Sequence, residues 1–151
     1  MNNKQPKLTK SRRRLPHWEL SGAAYFATFR LLQGTLSDHE CQIVLDHLID
    51  GDGEFYSLDI AVVMPDHCHL LIRPQPGYEL PRVMKGIKGV SARLINQSRG
   101  TRGSVWQDES LDRIMWDEEE AIEKARYILE NPVRAGLVER ASDYPFYHTA
   151  I

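Results

Sequence analysis

Two histidines one residue apart, His67 and His69, lie in a β-forming run, HCHLLI, and Tyr127 precedes Asn131 by four positions in a run of helical periodicity. Side chains alternate across a strand, so His67 and His69 project from one face while Cys68 points to the other. Two imidazoles presented side by side can chelate a divalent ion through their neutral nitrogens. Residues four apart share a helix face, so an ion held by Asn131 would lie close to the Tyr127 hydroxyl. At about 100° per residue, Tyr127 falls roughly 120° from the centre of the stripe formed by Ala121, Ala125 and Ile128, so its hydroxyl need not be buried in the core. Spacing alone leaves the ordinary readings open: strand histidines at a surface, a helix that ends before proline, and an aromatic at the rim of a core.

The elements that must position these residues can be read from the same sequence. Ala24 to Leu32 (AYFATFRLL) is aromatic and partly alternating, and Gly34 closes it, which predicts a strand. Ser37 with Glu40 three residues later forms a capping-box pattern, and Cys41, Val44, Leu45, Leu48 and Ile49 continue it at helical spacing up to Gly51. Phe55 to Met64 and His67 to Ile72 are β-rich runs split by Pro65 and Asp66, so they should be adjoining strands. Leu80 to Arg99 predicts a second helix that buries Val83, Ile87, Val90 and Leu94 and turns Lys85, Lys88, Asn96 and Arg99 the other way. A third helix should run from near Asp117 to Asn131, because Pro132 disfavours helical geometry in the residue before it. Val133 to Ile151 gives no clear signal. This order of elements suits an α+β fold, with helices packed on one face of an antiparallel sheet, better than a doubly wound parallel one.

The chain has 151 residues, of which 42% are hydrophobic and 26% charged, which fits one globular domain rather than a disordered or fibrous chain. The expected organisation is a single domain over 1–151 with a basic N-terminal arm at about 1–15. No signal-peptide run or membrane-length apolar stretch is present in the sequence, which predicts a cytoplasmic protein with no membrane partner. Cys41 and Cys68 are expected to be reduced thiols, since Cys68 lies between two strand histidines.

Net charge is only −2, but it is segregated. Met1 to Arg30 carries Lys4, Lys7, Lys10, Arg12, Arg13, Arg14 and Arg30 against Glu19 alone, and Arg82 to Gly103 holds six bases and no acid. Asp108 to Glu123 reverses this, with eight acids against Arg113. A basic surface on one side of a nearly neutral molecule is what a phosphate backbone would meet, so Arg12, Arg13, Arg14, Lys85 and Lys88 are the expected DNA contacts. Solvated helix faces and a disordered arm would give the same pattern.

Several of these stretches together resemble one family. VVMPDHCHLLI, the basic helix MKGIKGVSARLIN, then VWQ and YILENPVRAGLV resemble the REP-associated tyrosine transposases, relatives of the single-tyrosine insertion-sequence transposases among the HUH nucleases. RRRLPHWELSGAAYFATFRL is similar to their N-terminal strand region, so the resemblance spans nearly the whole chain. It implies a ferredoxin-like or RRM-like sheet carrying the HUH motif as His67, Cys68 and His69, with Tyr127 as nucleophile and Asn131 as third metal ligand. It also implies single-stranded or hairpin-forming repetitive DNA as substrate, and a homodimer in which the tyrosine helix of one subunit can serve the other's metal. One departure is visible: Leu111 stands where the family often has an aromatic, which bears on DNA fit rather than on the nucleophile.

A phenol with a pKa near 10 is a poor nucleophile at neutral pH, so the resemblance calls for a hard ion, Mg²⁺ or Mn²⁺, to activate the phosphate. Two other classes compete. A non-catalytic RRM-like nucleic-acid-binding module would stack bases on the aromatics of AYFATF. A water-activating metal hydrolase would need a further strong ligand and a base, and the sequence has no HExxH or Cys-rich set.

Overall fold

The computed structural model describes residues 22–150, so the arm with Arg12, Arg13 and Arg14 lies outside the described residues. Strand β1 is Ala24–Arg30, helix α1 Asp38–Asp50, β2 Tyr56–Val63, β3 His67–Pro74, α2 Leu80–Arg99, β4 Leu111–Met115, α3 Glu118–Arg134 and β5 Tyr147–Thr149. The five strands lie in the order β4-β1-β3-β2-β5, and every neighbouring pair is antiparallel. With β3 between β1 and β2, the β1-α1-β2 unit is a split βαβ and the first six elements form a ferredoxin-like fold of the expected α+β class.

Local chemistry explains the elements. Ser37 Oγ accepts from the Glu40 backbone N–H (3.1 Å) and Glu40 Oε1 accepts from the Ser37 N–H (2.9 Å), the reciprocal capping box that starts α1. Glycine is required at position 51, where a Cβ would stand 2.3 Å from the Tyr56 hydroxyl, itself donating to the Leu48 carbonyl at 2.7 Å. The β2-β3 hairpin closes through the Met64 N–H to the His67 carbonyl (2.8 Å), which fixes Val62 opposite His69 and Val63 opposite Cys68. Helix α2 stops at Gly100, whose φ of 71° is the left-handed conformation that favours glycine.

Alternation divides the sheet into two faces. Phe29 and Cys68 share one, where Phe29 meets Trp106 at 4.7 Å between ring centres and the Trp106 indole N–H donates to Ser91 Oγ of α2 at 2.9 Å. Helices α1 and α2 cover this face and are joined by the Arg99 and Glu40 ion pair at 2.5 Å. The other face carries Phe26, Thr28, His67 and His69, and α3 lies across it. The helices were expected on one face of the sheet; α1 and α2 share one, and α3 takes the opposite one, against Phe26 and His69. The central strands β1 and β3 have buried side chains on both faces, including Phe26 and Leu71 as well as Ala27 and Leu70, so both need a cover.

Three details depart from the sequence reading. Helix α3 does not end at Asn131 but continues through Pro132, which is buried, to Arg134, with the Ala135 N–H on the Asn131 carbonyl at 2.9 Å. The missing proline N–H removes one bond without stopping the helix, because packing and the next ladder bond hold the following turn. The buried stripe of α2 is Leu80, Val83, Met84, Ile87, Ser91 and Ile95, rotated from the expected one so that Val90 and Leu94 are only half-buried. Two short edge strands, β4 on β1 and β5 on β2, were not expected.

Candidate functional site

The hairpin between β2 and β3 places His67 at the start of its strand and His69 one pleat further, with ring centres 4.7 Å apart. Each ring is fixed by one nitrogen. The Nδ1 of His69 meets Thr28 Oγ1 of β1 at 2.8 Å, and the Nδ1 of His67 meets Asp66 Oδ1 at 2.7 Å. The Asp66 carboxylate can only accept, which puts the His67 proton on Nδ1 and leaves Nε2 for a ligand, whereas the Thr28 hydroxyl orients the His69 ring and can serve either tautomer. His69 is buried, and burial first, then the positive charge of His67, Arg30, Arg134 and Lys124, pushes its pKa down to about 3. It is therefore neutral at physiological pH.

Helix α3 brings the remaining residues from the far end of the sequence. Asn131 Nδ2 lies 3.2 Å from His67 Nε2. Tyr127, 47% exposed, has its ring centre 6.1 Å from that of His69 and 6.4 Å from that of Phe26. Its phenol thus stands at the rim of the histidine pair and open to solvent, as its position off the buried stripe of Ala121, Ala125 and Ile128 required. His67, His69, Asn131 and Tyr127 are brought together by the fold.

The donor set fits a divalent cation. Two imidazole nitrogens and one side-chain amide oxygen leave coordination positions for water or a phosphate oxygen. Ligation by Asn131 needs its amide oxygen, not nitrogen, toward the ion. Among the described residues no three His, Cys, Asp or Glu side chains cluster as a metal group.

The expected DNA contacts on α2 are on the other side of the sheet. Lys85 is exposed beside a cleft of about 560 Å³ that Asp108 and Asp112 also line. The Lys88 ammonium is occupied within the fold: it donates to the carbonyls of Gln107 (2.6 Å) and Asp108 (2.9 Å) and to Ser110 Oγ (3.0 Å). Arg99, from the same basic segment, is spent on Glu40. Cys41 and Cys68 are buried free thiols, and burial pushes Cys41 up to about 12 and Cys68 further from ionisation.

Four residues at the site were not singled out from the sequence: Thr28 and Asp66, which orient the histidines, and Lys124 and Arg134, whose cations lie over the Tyr127 ring. For Lys124 and Arg134 the signal was the helical spacing about Tyr127, which puts positions 124, 127, 131 and 134 on one face.

Residues 30–128 match the family described as "Transposase IS200 like". Among solved structures, a REP-associated tyrosine transposase bound to a REP hairpin is 22% identical, with a TM-score of 0.70 over 85% of this chain and 77% of that one. A candidate transposase from Deinococcus radiodurans R1 is 21% identical, with a TM-score of 0.53 over 85% of this chain and 95% of that one. At these identities the two structures speak for the fold. No match is found among curated proteins. The family match, by contrast, runs through both histidines and reaches Tyr127 over more than half of the sequence, and the chain belongs to the IS200-like transposase family.

Proposed function

We propose that this transposase is a metal-dependent single-stranded DNA endonuclease and strand transferase that cuts and rejoins hairpin-forming repetitive DNA through a 5′-phosphotyrosine at Tyr127. The observation that carries the reading is the meeting of α3 with β3, which sets Asn131 3.2 Å from His67 and Tyr127 beside His69. Motif resemblance to the REP-associated transposases, and the fold shared with one solved on a REP hairpin, support hairpin DNA as the substrate.

His67, His69 and Asn131 would hold the ion, and Mn²⁺ suits two imidazoles better than Mg²⁺ does. When bound, a divalent ion supplies Lewis-acid charge to the scissile phosphate. Tyr127 Oη attacks phosphorus and loses its proton to solvent, while the bond from phosphorus to the 3′ oxygen breaks and that oxygen takes a proton from solvent and leaves as a 3′-hydroxyl. The tyrosyl phosphodiester replaces the one that was cut, so an incoming 3′-hydroxyl reverses the step without a nucleotide cofactor. Asp66, whose carboxylate can only accept, holds the proton of His67 on Nδ1, and Thr28 would do the same for His69 by accepting from its Nδ1.

The approach of Tyr127 to His69 within one chain supports cleavage in cis, so a homodimer is not required for the chemistry. A 17.4 kDa species that sediments alone with full activity would dispose of the dimer. The RRM-like reading fits the fold less well: Phe26 and Phe29 of β1 are buried, one on the α3 face and one against Trp106, which leaves them no open surface for bases.

The test is incubation with an end-labelled hairpin oligonucleotide and Mn²⁺, followed by denaturation in SDS. A DNA-linked protein band is expected. Binding alone would favour the non-catalytic module, and free 5′-phosphate ends a hydrolase.

A further inference from the structure

Lys124, Tyr127, Asn131 and Arg134 are spaced along α3 so that all four share one helix face. Each cation has a glutamate four residues before it, Glu120 before Lys124 and Glu130 before Arg134, the order that favours an ion pair on an exposed helix. Neither pair forms: among the described residues no ion pair joins Lys124 or Arg134 to a carboxylate. Glu120 is held by Arg113 at 3.0 Å and by the Trp116 backbone N–H at 2.8 Å.

Both cations turn to the tyrosine instead. The Lys124 ammonium lies 4.6 Å from the centre of the Phe26 ring and 4.9 Å from that of Tyr127. The Arg134 guanidinium carbon lies 4.1 Å from the Tyr127 ring centre, and its Nη2 donates to the Tyr127 carbonyl. Arg30, at the end of β1, adds a third positive charge acting on His69. Asp66 is joined to His67 at 2.7 Å, and Glu120, held by Arg113 and the Trp116 N–H, acts on Lys124 only through space. A cation resting on an exposed ring is weakly held, whereas a charge-assisted hydrogen bond to a phosphate oxygen is among the strong ones, so an arriving phosphate would draw both cations from the ring.

We propose that Lys124 and Arg134 bind the scissile phosphate, exchanging the Tyr127 ring for its oxygens and bringing that phosphate to the Tyr127 hydroxyl. This rests on Tyr127 being the nucleophile. It assigns the phosphate charge to the face of α3 rather than to the basic helix α2, and it explains why α3 must continue past Pro132, since a helix ending at Asn131 would not carry Arg134 back over Tyr127.

The experiment is a charge-neutralisation scan of binding. The probe is a REP-type hairpin oligonucleotide with a single-stranded flank, in which each flank phosphate is replaced in turn by an uncharged methylphosphonate. Affinities are measured with Mn²⁺ in the Tyr127→Phe protein, where no cleavage intervenes, with and without Lys124→Gln and Arg134→Gln. In the parent, neutralising one phosphate should weaken binding about tenfold or more, the scale of a hydrogen bond to a charged group. In the double variant that loss should vanish at the same phosphate and persist elsewhere, and Arg134→Lys should restore part of it. Scan profiles that run parallel at every position would overturn the proposal, because a structural role lowers affinity equally for every probe. Covalent adduct formation by the wild type is read separately and maps the cut. Failure of the adduct with an intact binding cycle removes the nucleophile reading, whereas an adduct with parallel scans removes only the phosphate-binding role. A vanishing loss at a phosphate other than the mapped cut also overturns the proposal.

Discussion

The Nε2 of His67 and the side-chain amide of Asn131 stand 3.2 Å apart and join β3 to α3 across 64 positions of sequence. The same two groups belong to the proposed ligand set, so metal binding would replace one weak link between sheet and helix by ligation to a common ion.

The first prediction follows from that link. Mn²⁺ at about a hundred times its dissociation constant should stabilise the fold by about 2.7 kcal/mol, which for a chain of this size raises Tm by roughly 5–10 °C. Replacement of both His67 and His69 by Ala should abolish the shift and cleavage together while hairpin binding persists. Thermal melts with Mn²⁺ and with EDTA check it, and cleavage that continues in EDTA would remove the metal from the mechanism.

Lys85 and Lys88 should separate, although the sequence placed them together. Lys88 holds the 107–110 loop through three acceptors, and burial lowers its pKa, so Lys88→Ala should destabilise the fold by about 1 kcal/mol through the loss of these bonds, water taking over the exposed acceptors. Lys85→Ala should leave Tm unchanged. If Lys85 or any of Arg12, Arg13 and Arg14 touches the DNA backbone, its loss should flatten the log–log salt dependence of binding by about 0.7 per single-strand contact. An unchanged slope would exclude the residue concerned.

What the sequence could and could not disclose has a physical pattern. Elements that bury their own periodic face, such as β1, α1 and the β2-β3 hairpin, were readable because burial writes itself into residue type. Strand β4 was not, since Leu111, Asp112 and Arg113 are exposed and the strand is held by its ladder with β1. The register of α2 was missed because Ser91 is buried: its hydroxyl donates to the Ile87 carbonyl at 2.7 Å and accepts from Trp106, partners that hydropathy cannot register. Spacing put the two histidines on one strand face and Tyr127 with Asn131 on one helix face, while the roles assigned to them came from the family resemblance. Lys88 and Arg99 were misleading, because a basic side chain carries no mark of whether its partner is a phosphate or its own fold.

The Glu40 and Arg99 pair that joins α1 to α2 should give stability a dependence on acid pH. The Arg99 guanidinium first, against the opposing effect of burial and helped by the Ser37 N–H, lowers the Glu40 pKa from 4.5 to about 2. A depressed carboxyl stabilises the fold fully above the unfolded value, so the contribution is present above about pH 4.5 and is lost as pH falls toward 2. With solvent screening at the partly exposed guanidinium it is worth roughly 2 kcal/mol. Urea melts from pH 2 to 7 should show this loss in the wild type, and Glu40→Gln should remove that part of the slope. A slope retained in Glu40→Gln would place the acid sensitivity elsewhere.

Tyr127→Phe isolates a single atom. The phenol is half-exposed, and among the described residues no hydrogen bond to its hydroxyl holds the fold, so removing the oxygen should leave Tm within about 0.5 kcal/mol equivalent. The ring contacts with Lys124, Arg134 and Phe26 survive in phenylalanine, so metal and hairpin affinity should also persist. Cleavage and strand transfer should fall below detection, since among the described residues Tyr127 is the tyrosine whose ring lies against His69: Tyr144 is buried with its hydroxyl on the Val63 carbonyl at 2.6 Å, Tyr78 packs against Phe55, and Tyr147 stands on β5, two strands away. Mass spectrometry of the wild-type adduct should find the 5′-phosphate on the peptide that contains Tyr127. An adduct on Tyr78, Tyr144 or Tyr147, or cleavage that survives in the variant, would show that α3 carries the tyrosine for another purpose and that the nucleophile lies elsewhere in the chain.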